Sequence, residues 1–388
     1  MPLDDGVCVA YLGSATFSNS LAKPRAFFNP WLDFLCLGGG SLIALPILGA
    51  VIPDDGMGQV QLAVLLVALI VNFPHFIHSY QVFYGGFAKI TQMPGVPSSL
   101  RRRYLWSGVT VPAILLGLLV MAVAASEPTL LRYSINAMGF FVGWHYVKQG
   151  YGMLMADAAM KRSFFSASTK TCLLINAYVC WALSWLMIND TISERTFHGL
   201  SYYTFNVPDG ATAIAGAALS LSSLWSLAVL IGHAFRHRAA FPFSGLCAYV
   251  ASLYVWLFVR YDPEVVAFIP AFHSLQYLYM IWRHRLNMEA AEPDAAVPLS
   301  AAGGQMSFNR PHVRFATYVA SAIVIGGVAF LMVPAALDAY VPYDHAVFGD
   351  HLFMIAIWVF INIHHFFIDN AMWRSGNPHT MTHLFAHR

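Results

Sequence analysis

The sequence predicts an all-α polytopic membrane protein of about ten transmembrane helices with both termini in the cytoplasm. Three observations predict it: the composition, the number of long apolar segments and the distribution of basic residues. Of the 388 residues, 58% are hydrophobic and only 10% are charged, and the mean hydropathy is +0.59. Soluble domains carry about 25% charged residues, so the composition disfavours an ordinary soluble domain. A net charge of +2 without a basic patch gives no indication of nucleic-acid binding.

Ten segments are long and apolar enough for a transmembrane helix, which needs about 20 mostly apolar residues. They cover approximately residues 33–52, 58–84, 104–124, 131–156, 171–189, 211–235, 243–259, 264–285, 315–337 and 350–373. Turn-forming and charged residues lie between them, and the connection 286–314 is the most linker-like. We expect one transmembrane domain over 33–373, an N-terminal cytoplasmic segment 1–32 and a C-terminal cytoplasmic tail 374–388.

The basic residues predict the orientation. Of the 21 lysines and arginines, 17 fall in the termini and in alternate loops on one side of the ten segments. The opposite loops hold only Arg132, Arg195 and Arg260, and Lys148 lies inside the fourth segment. An excess of Lys and Arg marks cytoplasmic loops, so both termini are predicted to be cytoplasmic. We expect a multi-pass protein of a bacterial-type inner membrane.

Histidines recur inside four even-numbered segments, which run from outside to inside in this orientation. They are His75 and His78 in the second segment, His145 in the fourth, His273 in the eighth, and His364 and His365 in the tenth. In three of these segments the histidine lies 9–11 residues before a basic residue that marks the cytoplasmic end, roughly 14–17 Å along the helix. Ionisable side chains at membrane depth are costly and mark functional sites by default. The four segments therefore predict a layer of imidazoles at one depth.

Polar neighbours of these histidines have the spacing of supporting groups. Gln149 follows His145 by four residues, Gln276 follows its histidine by three, and Asp369 follows His365 by four. Residues three or four apart share a helix face, and a metal-bound imidazole normally donates its other N–H to such a partner. Any single histidine here has a simpler interpretation, a hydrogen bond between helices, but four helices at one depth favour a shared metal site. Lys148 is either a catalytic or counter-ion group or a lysine that extends to the membrane surface.

The remaining histidines indicate less. His233 and His237 end a helix, and others are predicted in exposed loops (His198, His312 and His345). Three more lie in the C-terminal tail with i+4 spacing (His379, His383 and His387). This spacing allows adventitious metal binding, but we expect a disordered end instead, as chain ends commonly are.

Imidazoles with one carboxylate are ligands typical of iron, copper or zinc. The five cysteines are scattered and form no C-x-x-C pair, which disfavours a thiolate site. Zinc hydrolysis is disfavoured because the chain has no H-E-x-x-H motif. Iron with open coordination positions activates dioxygen, and a site within a bilayer implies a substrate that dissolves in membrane lipid.

Four short stretches share a pattern of histidines with aromatic or polar neighbours: Pro74-His75, Trp144-His145, Phe272-His273-Ser274 and His364…Asp369…Arg374. Together they resemble the bacterial β-carotene 15,15′-dioxygenase (Brp/Blh-type) membrane family. The resemblance implies that helix histidines hold iron and that dioxygen splits a carotenoid into two retinals. The chain differs from the family pattern at Tyr277, which stands where the second His of a His-x3-His motif is expected. An Asp that the family pairs with its early histidines is also missing after His75 and His145.

We therefore expect a non-haem metal oxygenase, with iron favoured over copper or zinc, that acts on a hydrophobic lipid, isoprenoid or carotenoid substrate. The expected metal ligands are His78, His145, His273 and either His364 or His365, with His75 as the alternative to His78. Asp369 is expected to bind or orient the site, Gln149 and Gln276 to fix imidazole tautomers, and aromatic residues to line a cavity (Phe76, Phe272, Tyr277 and Phe366). Two other classes stay open: a b-type haem electron-transfer protein and a transporter with a polar pathway at mid-membrane.

Overall fold

A computed structural model describes most of the chain as α-helix. The described residues are 26–52, 57–191, 196–197, 200–258, 268–291, 311–374 and 376–386. One antiparallel pair of two-residue strands, β1 (Thr196–Phe197) and β2 (Leu200–Ser201), lies in the connection after the fifth helix. The all-α class predicted from the sequence is confirmed.

Seven helices are long and apolar enough to cross a membrane, counted over the described residues. They are α1 (Pro30–Val51), α2 (Val60–Gln92), α3 (Ser98–Ala124), α5 (Ala167–Asp190), α6 (Ala211–Arg236), α9 (His312–Tyr340) and α10 (Leu352–Met372). Many of their large apolar side chains are exposed, as expected of helices that face lipid tails. The chain is therefore a multi-pass membrane protein by the length and composition of its helices.

The other three predicted segments are also helical but do not reach this length and hydropathy. They are α4 (Pro128–Met160), α7 (Phe243–Leu257) and α8 (Ile269–Ala291). Helix α7 is short, and polar side chains such as Lys148 in α4 and Arg283 in α8 lower the hydropathy. The count of ten spans stays a prediction.

Helix α10 lies at the centre of the bundle. Half of its most apolar window is buried, whereas 22–33% is buried in the other six apolar helices. It contacts α2, α3, α4 and α9. Side chains of α10 therefore meet those of several neighbours, and this central position brings His365 and Asp369 close to residues of other helices.

Widened helical turns precede three prolines within the long helices. Three π-helical turns end two residues before a proline: Ala68–Asn72 before Pro74, Trp106–Thr110 before Pro112, and Val328–Met332 before Pro334. A proline ring within a helix clashes with the carbonyl four residues earlier and donates no N–H. One extra residue in the turn makes room for the ring, so the helix continues across the proline. The first of these turns lies immediately before His75.

Glycines allow two close helix contacts near the histidines. A Cβ on Gly150 of α4 would lie 2.5 Å from Cβ of Ser252 in α7, and a Cβ on Gly326 of α9 would lie 2.7 Å from Cβ of Phe73 in α2. Small residues at helix interfaces in membranes let backbones approach closely. Any side chain at these two glycines would push apart helices that carry or support the histidines.

The C-terminal tail is helical where the structure describes it, so its predicted disorder is wrong over residues 376–386. Helix α11 (Pro378–Phe385) begins after Asn377, whose side chain accepts a hydrogen bond from the His379 N–H at 3.2 Å. Arg283 of α8 donates to the main-chain oxygens of Leu384 and Ala386 at 2.9 and 3.1 Å. The cap and these tertiary bonds hold a segment that is too short to be stable alone. His387 lies outside the described residues.

The predicted N-terminal segment and the predicted linker also lie partly outside the described residues. Residues 1–25 of the predicted N-terminal segment do, and so do residues 292–310 of the predicted linker. The first part of that linker is not a loop, because α8 continues to Ala291. A hydrogen bond from Nε of Arg285 to Oε1 of Glu289 at 2.8 Å stabilises this last turn.

Candidate metal centre

Three helices bring three histidines and one aspartate together in the interior. His75 of α2, His145 of α4, and His365 and Asp369 of α10 each place one possible ligand atom within 4.8 Å of the others. All four residues are buried, with 2–8% of their surface exposed. Within the ranges that the structure describes, no other three or more His, Cys, Asp or Glu residues place their ligand atoms this close together. The arrangement is a possible metal site.

The carboxylate of Asp369 faces two of the imidazoles. Its Oδ2 lies 3.3 Å from Nε2 of His365 and 3.7 Å from Nε2 of His145. Neither contact has the geometry of a hydrogen bond, so all three atoms remain without a hydrogen-bond partner. The ring centroids of His75 and His145 lie 4.4 and 4.9 Å from that of His365. The four groups therefore surround one small volume.

His273 of α8 supplies a fourth imidazole beside this group. Its ring centroid lies 4.9 Å from that of His145 and 5.3 Å from that of His75. The ring stacks on Tyr146 with centroids 3.6 Å apart and 6° between the planes. Both of its nitrogens are buried without a hydrogen-bond partner. His273 thus borders the site and is free to bind or to orient what occupies it.

The unpartnered atoms point to an occupant. They are Nε2 of His75, Nε2 of His145, both ring nitrogens of His273 and of His365, and Oδ2 of Asp369. A buried polar atom without a partner costs about 1–3 kcal/mol, and native structures rarely retain several side by side. Imidazole nitrogens and a carboxylate oxygen are ligands of iron, copper and zinc. The donor set therefore fits a transition-metal ion.

Tyr277 orients the aspartate. Its hydroxyl donates to Oδ1 of Asp369 at 3.0 Å and accepts from Ser79 at 2.6 Å and from Nε1 of Trp373 at 3.2 Å. With Oδ1 engaged in this way, Oδ2 is the oxygen turned towards the histidines. Such partners set the orientation of metal-binding carboxylates and imidazoles.

Ser274 has the same role beside His75. The serine Oγ lies 3.2 Å from Nδ1 of His75, and an Nδ1–H donated to it leaves a lone pair on Nε2, which faces the cluster. The π turn that precedes Pro74 adjusts the rotation of α2 just before this histidine. The local backbone and one hydroxyl together aim His75 at the site.

His78 lies outside the group. Its Nδ1 lies 2.8 Å from Oε1 of Gln81, its Nε2 accepts from Trp282 at 3.4 Å, and its ring stacks on Tyr318 at 4.1 Å. Three residues advance a helix by about 300°, so His75 and His78 point about 60° apart. Of the two, His75 is the residue that the structure brings to the cluster.

His364 also lies outside the group. Its Nε2 donates to the carbonyl of Ser107 at 3.0 Å, and its Nδ1 accepts from the Tyr80 hydroxyl at 2.8 Å. Ser107 belongs to the second π turn, where a widened helix offers a carbonyl to another helix. Neighbouring positions on a helix point about 100° apart, so His364 and His365 face different partners.

The residues predicted to support the metal ligands, Gln149, Gln276 and Lys148, lie in different surroundings. Gln149 donates to the main-chain oxygen of His273 at 2.9 Å and to Oε1 of Gln276 at 3.1 Å. These amides position the α8 backbone, and no hydrogen bond joins either to an imidazole ring among the described residues. The Lys148 ammonium lies 5.7 Å from the ring centre of Tyr151 and 5.9 Å from that of Tyr178, outside the cluster.

Aromatic side chains surround the histidines. Phe76 lies 4.8 Å from the His365 ring and Phe366 lies 5.8 Å from the His145 ring. Phe272 and His273 line a small cleft that also contacts α1 and α7. An apolar recess of about 100 Å³ adjoins α4 next to His145, lined by Gly139, Val142, Gly143, Val147, Trp181, Ser184, Trp185, Ile188 and Trp256.

Sequence reasoning missed the hydroxyl partners. Tyr277 was expected only as a cavity wall, and Ser79 and Ser274 were given no role. The available signal was that each serine directly follows a histidine in an apolar helix, since a hydroxyl there can reach across to a neighbouring helix.

Comparisons with protein families, with curated proteins and with solved structures found no match. The resemblance to the β-carotene dioxygenases therefore stays an expectation from four short stretches of sequence.

Proposed function

We propose that this chain is a membrane-embedded non-haem metalloenzyme, an oxygenase that uses iron and dioxygen on a hydrophobic substrate dissolved in the bilayer. The convergence of unpartnered donor atoms from His75, His145, His365 and Asp369 carries the proposal. Iron is favoured over zinc or copper because a few imidazoles and one carboxylate with open positions are typical of non-haem iron oxygenases. The seven apolar helices support a substrate that reaches the site from lipid.

Each residue of the site has a defined task in this proposal. His75 and His145 bind through Nε2, His365 through a ring nitrogen, and Asp369 through Oδ2. His273 is either a fourth imidazole ligand or a group that faces the substrate. Iron held in this way supplies the activation of dioxygen. The chain itself holds the ligands in place through Tyr277 and excludes water, since every ligand is buried.

Crowding of the rings favours a non-haem metal over b-type haem. A haem bound by two histidines needs a flat slot between them that is wide enough for a porphyrin. The rings of His75 and His145 are separated by 6.4 Å and 25°, but His273 and His365 each lie within 5.3 Å of both. These two rings occupy the space where a macrocycle would lie.

The distribution of basic residues gives the expected location and orientation. We propose a cell membrane of bacterial type, with ten spans and both termini in the cytoplasm, because lysine and arginine are so unevenly distributed between alternate loops. The histidines then lie in the central to cytoplasmic part of the bilayer. Cysteine-accessibility labelling at both termini and in the loop that holds Arg132 tests this orientation.

Metal analysis of the full-length protein in detergent tests the proposed function. We expect stoichiometric iron in the wild type, little iron in His145→Ala and His365→Ala, and unchanged iron in the matched control His364→Ala. A colourless preparation without a Soret band is expected; a strong Soret band favours the haem alternative. Stoichiometric iron that persists in both His145→Ala and His365→Ala would refute the site.

Turnover tests the oxygenase part separately. Iron-loaded protein is expected to consume dioxygen when supplied with carotenoid or unsaturated lipid in mixed micelles, and the chelator-treated protein is not. Metal bound at the four residues without oxygen consumption on any such substrate would reject the reaction but retain the site.

A further inference from the structure

Three histidines meet a second time, where α11 packs on α8. His379 and His383 follow each other by four residues on α11, and both rings face His284 of α8. The ring centroids of His284 lie 6.3 Å from His379 and 5.5 Å from His383, and those of His379 and His383 lie 6.3 Å apart. Two histidines at i and i+4 share one helix face and commonly bind one ion. This group is separate from the buried centre, because His284 lies 11 residues beyond His273 on the same helix, about 16 Å along its axis.

His284 provides an observation that points to a ligand. The residue is fully buried, and its Nδ1 has no hydrogen-bond partner. Its Nε2 makes only a long contact, 3.5 Å, to the His379 main-chain oxygen. A buried imidazole with an unpartnered nitrogen beside two other imidazoles is the arrangement that an added cation would satisfy.

Main-chain hydrogen bonds from α8 hold α11 in position beside His284. Asn287 donates to the main-chain oxygen of His383 at 2.8 Å, and Arg283 donates to that of Leu384 at 2.9 Å. Gly86 of α2 makes room for the third ring, since a Cβ there would lie 3.0 Å from Cε1 of His379. The nearby Arg285 is paired with a carboxylate at 2.8 Å, which reduces its repulsion of a cation.

We propose that His284, His379 and His383 form a second metal site, which takes a late divalent transition ion such as Zn²⁺ and fastens α11 to α8. Imidazoles that share a zinc ion at about 2.0–2.1 Å have ring centroids roughly 5 Å apart. The observed separation of 5.5 Å between His284 and His383 is slightly larger than this, and the two separations of 6.3 Å that involve His379 exceed it by slightly more than 1 Å. His379 and His383 are half-buried, so rotation of these two side chains brings the donors together around the fixed His284. A water or an exchangeable ligand completes the fourth position, as in zinc sites with three protein ligands.

Zinc stoichiometry of the full-length protein in detergent tests this second site independently of the first. After chelation and reloading with Zn²⁺ alone, we expect two equivalents in the wild type and one in His379→Ala/His383→Ala. The control His345→Ala, which removes a half-exposed histidine elsewhere, is expected to retain two. His145→Ala/His365→Ala is expected to retain the one equivalent bound at α11.

The two proposals fail in different ways. One equivalent in the wild type that disappears in His379→Ala/His383→Ala would overturn the buried centre and support the second site. One equivalent that disappears in His145→Ala/His365→Ala, or two equivalents retained in His379→Ala/His383→Ala, would overturn the second site.

Gly86→Ala keeps every donor and provides a test that does not depend on removing histidines. The added methyl displaces the His379 ring, so we expect zinc affinity at this site to fall at least tenfold while one tight equivalent persists at the buried centre. Zinc is also expected to protect the segment after Met372 from proteolysis in the wild type. Unchanged affinity in Gly86→Ala together with no protection by zinc would contradict the proposal.

Discussion

The variant Tyr277→Phe, which removes one hydroxyl, distinguishes the proposed metal centre from an accidental cluster of buried histidines. The hydroxyl is the group that engages Oδ1 of Asp369, and it in turn accepts from Ser79 and Trp373. Phenylalanine keeps the ring and its packing. Without the hydroxyl, the carboxylate is free to rotate, and the geometry that turns Oδ2 towards His145 and His365 is lost.

The expected magnitude follows from the role of such partners. Loss of a hydrogen bond that orients a metal ligand typically lowers metal affinity by 10–100-fold, which corresponds to about 1.4–2.7 kcal/mol. The Trp373 N–H also loses its acceptor, which costs about 1–3 kcal/mol of stability if it stays buried. Competition with a chelator of known affinity measures the first quantity, and thermal unfolding of the metal-free protein measures the second.

Tyr279→Phe is a matched control for this experiment. Tyr279 lies two residues further along α8, is also buried and donates its hydroxyl to a buried carboxylate, Asp33, which is not part of the cluster. Its loss should lower stability but leave metal affinity unchanged. Equal metal affinities in Tyr277→Phe and the wild type, or equal losses in the two variants, would show that Tyr277 does not position a ligand.

The remaining predictions concern choices that the structure makes between neighbouring residues. His365→Ala is expected to abolish metal binding at the buried centre, whereas His364→Ala should retain it within about threefold; stoichiometry after dialysis distinguishes them, and the reverse order would refute the assignment. His75→Ala should lose the metal, and His78→Ala should keep it and lose only stability, by about 1–3 kcal/mol, as thermal unfolding and metal analysis will show. Gly326→Leu, which introduces a side chain where even a Cβ lies 2.7 Å from α2, should displace that helix and weaken metal binding more than tenfold without removal of any ligand; chelator competition on the folded, monodisperse fraction checks it.

Much of the helical framework could be predicted from hydropathy alone. Every predicted segment contains a helix, because a bilayer permits few alternatives for an apolar chain of this length. The recurrence of histidine in α2, α8 and α10 at similar distances from basic residues also predicts that their imidazoles lie at one level. Depth is a property of a single helix, so the sequence of that helix is sufficient to estimate it.

Rotation about the helix axis could not be predicted in the same way. Whether His75 or His78 faces α10 depends on a difference of about 60°, and a single π turn changes the rotation of all that follows. The turn at Ala68–Asn72 supplies such a change immediately before Pro74. A proline is visible in the sequence, but whether the helix widens, bends or stops there depends on the helices around it.

The C-terminal helix was missed for a related reason. Composition gives no strong signal over Pro378–Phe385, and its stability comes from contacts with distant residues. Thr380 donates to the main-chain oxygen of Met372 at 2.7 Å, and Asn377 donates to the Tyr104 hydroxyl at 2.9 Å. Tertiary contacts of this kind decide whether a short terminal segment is ordered.

The buried histidines of the proposed metal centre differ from those outside it more clearly in the hydrogen bonds of their ring nitrogens than in burial or depth. His364 and His365 are adjacent, equally buried at 2% exposure and at nearly the same depth. The first has a partner for each nitrogen, one of them a carbonyl from a π turn more than 250 residues away in the chain. The second has none, although Asp369 lies 3.3 Å away. A fold that supplies partners to one imidazole and leaves its neighbour without them makes that neighbour available to another ligand. A similar contrast holds between His78, whose two ring nitrogens have partners, and His75, whose Nε2 has none.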